Sequence, residues 1–172
     1  MKYISTRGNA PVLSFEDAML AGLARDGGLY VPETVPRMTS ADIIGMVGLS
    51  YEEIALRVIQ PFVGDSFSEA ELIDSISVAY AGFNHTARAP LVQLGPNHHL
   101  LELFHGPTLA FKDFAMQLIG QLFQRALNRR GERVTIVGAT SGDTGAAAIE
   151  AFKGLDTVDI FILFPNGKVS EV

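Results

Sequence analysis

The stretch VTIVGATSGDTGAAAIEAF, residues 134–152, limits what this chain can fold into more than any other. Val134–Val137 is β-branched throughout, then Gly, Ser and Thr replace it, and an Ala-rich run follows with no proline to interrupt it. Such an order predicts a strand, a tight loop and a helix. A second β-rich run, DIFILF from Asp159, comes after the helix, which makes the segment a βαβ unit with parallel strands. Upstream, Leu100–Phe104 reads as a further strand, and a helix runs from the region of Pro107 and Thr108 to Arg130. Phe111, Phe114, Ala115, Leu118, Leu122 and Ala126 form its apolar stripe, and Gly131 stops it. Arg125, Arg129 and Arg130 near its C-terminal end suit the helix dipole.

Ahead of Thr86–Pro90 the pattern is mainly helical. SFEDAMLAGLA from Ser14 predicts a helix stopped at Gly27 and Gly28. Ser50 with Glu53, and Ser68 with Glu71, are capping boxes flanked by the apolar pairs Leu49/Ile54 and Phe67/Leu72. Pro61 is expected to end the first of these helices, and the second is expected to fray over Tyr80–Asn84. The chain therefore reads as α/β, with a domain of residues 1–88 followed by one of residues 89–172.

Composition excludes several functions. A net charge of −6 argues against a nucleic-acid binder. With no cysteine there is no disulfide, thiolate metal site or cysteine nucleophile, and a reducing cytoplasm is compatible. The start MKYISTRGNAPVLSF lacks a signal-peptide core, and the longest apolar run, Ile160–Phe164, is too short to cross a bilayer. His85, His98 and His99 lack partners at metal-ligand spacing, so no metal is expected.

Two segments carry chemistry. The loop at Ser141–Thr144 opens directly into a helix, whose first backbone N–H groups make an anion site to which Ser141 and Thr144 add hydroxyls. It fits neither the nucleoside-triphosphate loop pattern nor the dinucleotide one. A plain strand-to-helix turn capped by Asp143 is the other reading. In HGPTLAFKDFA, residues 105–115, Lys112 stands between two phenylalanines, and with Pro107 and Thr108 at the helix entry it is expected in the first turn. Desolvation and the positive end of the dipole would favour a neutral, nucleophilic amine. A snorkelling surface lysine, held by Asp113, is the alternative.

These residues also carry a resemblance. HGPTLAFKDFA resembles the Schiff-base lysine motif of the threonine synthases, and GATSGDTGAAA resembles the substrate-facing loop of the wider fold type II pyridoxal-phosphate enzymes. GLARDGGLYVP, residues 22–32, and FPNGKVSEV at the end are similar to further threonine synthase segments. The resemblance implies a mainly helical N-terminal domain followed by the first part of a three-layer, tryptophan-synthase-β-like parallel-sheet fold. It implies that Lys112 carries pyridoxal 5'-phosphate and moves protons at the substrate. It places Ser141, Gly142 and Thr144 on the substrate carboxylate, Thr108 and His105 near the substrate, and Asp143 near the 3′-oxygen of the cofactor, where many relatives carry asparagine. An ionised Asp143 only accepts hydrogen bonds, so that contact needs a shared proton. For His105 a structural role, and for Thr108 a capping role, stay open, and Lys168 is either an anion contact or a solvated surface lysine.

The implied reaction converts O-phospho-L-homoserine and water to L-threonine and phosphate. A serine or threonine dehydratase, or a synthase-like binder of a phosphorylated ligand, is the alternative. The resemblance further implies that the cofactor's phosphate loop comes later than any residue here. The 172 residues alone are expected to be inactive, to bind the cofactor poorly and to self-associate through uncovered apolar surface.

Overall fold

The computed structural model describes residues 1–168. The chain divides into two compact units, Met1–Asp74 and Ser75–Val172.

The first unit holds β1 (Lys2–Ser5), β2 (Leu13–Ser14), α1 (Phe15–Ala21), β3 (Tyr30–Pro32), α2 (Ser40–Ile44) and α3 (Tyr51–Val63). β1 lies between β2 and β3 and is antiparallel to both. These strands are two to four residues long, too short to show an alternation, so the sequence pattern showed only helices. Tyr3 and Phe67 flank Phe15 edge-on at 5.8 and 6.3 Å, and the Tyr3 hydroxyl donates to the carbonyl of Phe62. α1 begins at the expected N-cap, Ser14, whose hydroxyl accepts from the Asp17 N–H. It ends at Gly22, five residues before the expected stop, because Gly22 takes a φ of 66° that a helix cannot continue.

Gly27 and Gly28 belong instead to a turn held by Asp26. The Asp26 carboxylate accepts from Ser5 Oγ, the Asn9 N–H and the Gly28 N–H. Desolvation pushes its pKa up, but these hydrogen bonds outweigh it and leave Asp26 below the ordinary aspartate value.

The Ser50–Glu53 capping box is present, with the Glu53 N–H donating to Ser50 Oγ and the Ser50 N–H donating to Glu53 Oε2. α3 does not stop at Pro61 but runs two residues further. In the last turn the missing proline N–H costs a single hydrogen bond, and Gly64, at φ 60°, ends the helix. A similar reciprocal pair, Ser68 and Glu71, starts α4 (Glu69–Tyr80), within which the two units meet in sequence.

The second unit continues with β4 (Leu91–Gly95), β5 (His98–Leu101), α5 (Asp113–Arg130), β6 (Val134–Ala139), α6 (Asp143–Phe152) and β7 (Val158–Leu163). The strand expected at Leu100–Phe104 is corrected to β5, paired in an antiparallel hairpin with β4 across Pro96 and Asn97. Its partner strand is next to it in sequence, so the hairpin needs no crossover. β6 and β7 are parallel, with Val134 opposite Val158 and Ala139 opposite Leu163, as the βαβ pattern predicts. Gly131, at φ 65°, ends α5 as expected.

The core lies where α5 meets α6: Leu118, Leu122, Ala126 and Leu127 on one side, Ala147, Ala148, Ala151 and Phe152 on the other. Phe111 precedes the helix and is exposed, which removes it from the expected stripe. The opposite face of β6 and β7 is bare, with Val137, Phe161 and Leu163 each more than half exposed. Among the described residues no helix is long and apolar enough to cross a membrane.

Candidate active site

The candidate site residues lie in the second unit. β6 ends at Ala139, Thr140 follows, and Gly142 at φ −162° is the N-cap of α6 with no side-chain cap. Asp143 is thus the first helical residue rather than the cap. The loop sits close on the strands: a Cβ on Gly145 would lie 2.7 Å from Thr140 Cγ2 and 3.1 Å from Ile162 Cγ2. This glycine lets the start of α6 rest on the strand ends. The Gly145 N–H donates to the Gly142 carbonyl and the Gly142 N–H to Thr140 Oγ1. The amides of Asp143 and Thr144, at positions where a helix start supplies no carbonyl partner, are held at the carboxyl ends of β6 and β7. In open parallel sheets that is where ligands bind.

A cavity of about 430 Å³ opens there, lined by Thr108, Leu109 and Ala110 on one wall and Ser141, Gly142 and Asp143 on the other. Ile149, Ile162 and Phe164 add apolar surface. The pattern had not pointed to Leu109, Ala110, Ile162 or Phe164. The first two lie in an irregular loop, and the last two matter only because β7 ends beside β6. Of the expected site residues, four share the cavity: Thr108, Ser141, Gly142 and Asp143. Thr144 is half-buried one residue into α6 and does not line it.

Lys112 lies in a second cleft, of about 380 Å³, with Leu103, Phe111, Phe114, Ala115 and Met116. It is the N-cap of α5 and not a residue of its first turn, since Gly106–Lys112 forms a chain of turns instead of helix. Its Nζ stands 4.6 Å from the centroid of the Phe111 ring. Phe114, its other aromatic neighbour in sequence, turns inward onto Phe83, 4.9 Å away. Asp113 is fully buried and is engaged by Thr108: Oδ2 accepts the Thr108 N–H at 2.8 Å and Oδ1 accepts its hydroxyl at 2.7 Å. The adjacent carboxylate is thus committed to the loop, and Lys112 keeps an amine that faces an aromatic ring.

His105 is held on both nitrogens, Nε2 against Glu102 Oε2 at 2.7 Å and Nδ1 against Asn84 Oδ1 at 3.0 Å. Its ring also stacks near His85 and Phe104. This geometry ties the start of the loop to the segment after α4, and His105 does not line the cavity. Lys168 is exposed beyond β7, and the rest of the terminal segment, residues 169–172, lies outside the described residues. Among the described residues no three His, Cys, Asp or Glu side chains group as metal ligands.

The family described as "Threonine synthase N terminus" matches residues 2–80. Threonine synthase of Pseudomonas aeruginosa is 59% identical over all 172 residues, which cover 37% of that protein. By sequence and fold, the chain is similar to the N-terminal part of the threonine synthases. The crystal structure of a pyridoxal-phosphate-bound threonine synthase from Brucella melitensis superposes with a TM-score of 0.96 at 60% identity, covering 99% of this chain and 37% of that one. The yeast threonine synthase structure gives 0.92 at 41% identity, covering 98% of this chain and 36% of that one. The chain thus spans a little over a third of the length of the threonine synthases it matches.

Proposed function

We propose that this chain supplies the lysine side of a threonine synthase active site, acting in the complete protein, in the cytoplasm, on O-phospho-L-homoserine. The observation that carries the reading is that one loop, residues 106–112, contributes to two sites. One is an amine whose neighbouring carboxylate is occupied elsewhere. The other is a cavity at the carboxyl ends of two parallel strands, walled by Ser141 and the first turn of α6. The donor set suits pyridoxal phosphate: Lys112 offers the amine for its aldehyde, and the partly apolar cleft around it suits the ring. When bound, the group supplies an electron sink for negative charge developing beside the substrate's amino carbon.

The residues of the chain divide the remaining work. Lys112 Nζ attaches the cofactor and, once displaced by the substrate's amine, moves protons at the α, β and γ carbons. Ser141, Gly142 and Thr144 hold the substrate α-carboxylate at the helix N-terminus. Asp143 faces the cofactor's 3′-oxygen across a shared proton. Thr108 forms the opposite wall, and His105 anchors the loop that carries both Thr108 and Lys112. The chemistry cleaves the bond from Cγ to the phosphate oxygen and adds water at Cβ, so the products are threonine and phosphate. In the complete protein, β6 and β7 belong to the parallel sheet of a three-layer fold, and the bare face of Val137, Phe161 and Leu163 is part of its interior.

The test is phosphate release from O-phospho-L-homoserine by the full-length protein. Lys112→Ala should abolish it. Turnover of serine or threonine to ammonia and a keto acid, without activity on the phosphorylated substrate, would replace this reading with a dehydratase.

A further inference from the structure

The segment between His105 and α5 is closed on itself by one carboxylate. Asp113 is fully buried at the first position of α5, and both its oxygens accept hydrogen bonds from Thr108, five residues back. The chain passes so close over this carboxylate that a Cβ on Gly106 would overlap Oδ2 and come within 2.5 Å of the Asp113 Cβ. Between them, Leu109 adopts a φ of 63°, left-handed backbone that strains a residue other than glycine. Its side chain is 58% exposed, so its own burial does little to offset that strain. What holds it is the frame around it. Thr108 is pinned by Asp113, the Leu109 N–H donates to the Gly106 carbonyl, and the Asp113 N–H donates to the Ala110 carbonyl. The strained turn puts Thr108, Leu109 and Ala110 on the cavity wall, and Lys112 is the residue joined directly to Asp113.

We infer that Asp113 is a positioning residue: through Thr108 its buried carboxylate fixes the shape of residues 106–112, and with it both the cavity wall and the lysine amine. This rests on the reading of Lys112 as the cofactor lysine. Asp113 acts by geometry, neither exchanging a proton with the substrate nor neutralising Lys112. Asparagine can reproduce both bonds, its oxygen accepting the Thr108 N–H and its amide donating to Thr108 Oγ1. Alanine can reproduce neither.

The experiment compares Asp113→Asn and Asp113→Ala in the full-length protein. Two quantities are read: the rate at which pyridoxal phosphate becomes borohydride-fixable on Lys112, located by peptide mapping, and kcat and KM for O-phospho-L-homoserine. Asp113→Asn should stay within a few-fold of the wild type in both. Asp113→Ala should slow the attachment and lower kcat/KM roughly a hundredfold, the scale expected when reacting groups are misplaced by about 1 Å.

Equal losses in the two variants would show that the charge is what matters and overturn the inference. So would an Asp113→Ala protein that is only less heat-stable, with attachment and turnover unchanged. If Asp113→Ala does not fold, Thr108→Val and Thr108→Ser decide: only the valine variant, which loses the bond to Oδ1, should slow attachment, and equal behaviour of the two overturns the inference. Wild-type protein with no label on Lys112 would bring down the reading of Lys112 beneath it. Label on wild-type Lys112 that Asp113→Ala leaves undiminished removes the positioning role alone.

Discussion

Gly120 of α5 lies against the backbone of Ala151 in α6, so close that an added Cβ would overlap the Ala151 carbonyl oxygen and sit 3.2 Å from its carbon. A backbone carbonyl inside a helix cannot swing aside. The crossing that seats α6, and with it the Ser141 loop, therefore depends on a missing methyl group. Gly120→Ala should destabilise the protein by about 1–3 kcal/mol, the usual cost of overpacking. Gly82, whose Cβ would meet nothing within 4 Å, provides the control, and Gly82→Ala should differ little from the wild type in chemical denaturation.

Gly142 gives the opposite case. A Cβ there meets nothing within 4 Å, and its φ of −162° is extended backbone open to any residue. Gly142→Ala should fold with at most a small loss of stability, the usual preference for glycine over alanine at an N-cap, and yet raise KM for the phosphorylated substrate in the full-length protein, because the methyl group intrudes on the cavity. A variant with wild-type kinetics would show that the cavity wall at Gly142 is not where substrate lies.

Ser141 and Thr144 should separate from one another. Ser141 lines the cavity and Thr144 does not. Removing a hydrogen bond to a charged group costs about 1.5–3 kcal/mol. Ser141→Ala should therefore weaken substrate binding roughly ten- to a hundredfold, with a smaller effect on cofactor affinity, while Thr144→Val changes substrate binding less. Isothermal titration with an unreactive substrate analogue, alongside cofactor titration, reads both.

Acid should expose the Asp26 turn. Its carboxylate sits below the ordinary aspartate value of 3.8, so it stabilises the folded state above that pH and loses the contribution as pH falls through its lower folded value. Melting temperatures between pH 5 and pH 2 should fall more steeply for wild type than for Asp26→Asn, which has no charge to lose. Parallel curves would remove Asp26 from the acid response.

The sequence made some of this legible and hid the rest for physical reasons. Both serine–glutamate capping boxes, the β6–α6–β7 unit and the glycine stop of α5 depend on local chemistry and were readable residue by residue. The three strands of the first unit left no period to detect. Pro61 misled because a proline in the last helical turn forfeits only one hydrogen bond. Ser141, Gly142, Asp143 and Thr108 share a cavity, and their motifs pointed to them separately. The motif around Lys112 drew attention to the lysine, while the bond from Asp113 to Thr108 needed the fold of the loop, since a carboxylate next to a lysine suggests an ion pair first.

Pairing across β6 and β7 sets Val137 beside Phe161 and Ala139 beside Leu163 on a bare face. The 172-residue polypeptide made by itself should therefore associate as its concentration rises and release little or no phosphate from O-phospho-L-homoserine. Sedimentation velocity should show Phe161→Lys shifting it toward monomer. A wild-type polypeptide that stays monomeric at all concentrations would show that this face needs no cover.

The most direct measurement is borohydride reduction of the full-length protein saturated with pyridoxal phosphate, followed by peptide mapping. The account predicts a pyridoxyl label on Lys112, in the peptide carrying HGPTLAFKDFA, and its loss with Lys112→Ala. Label on Lys153 or Lys168 instead, with Lys112 unmodified, would contradict it.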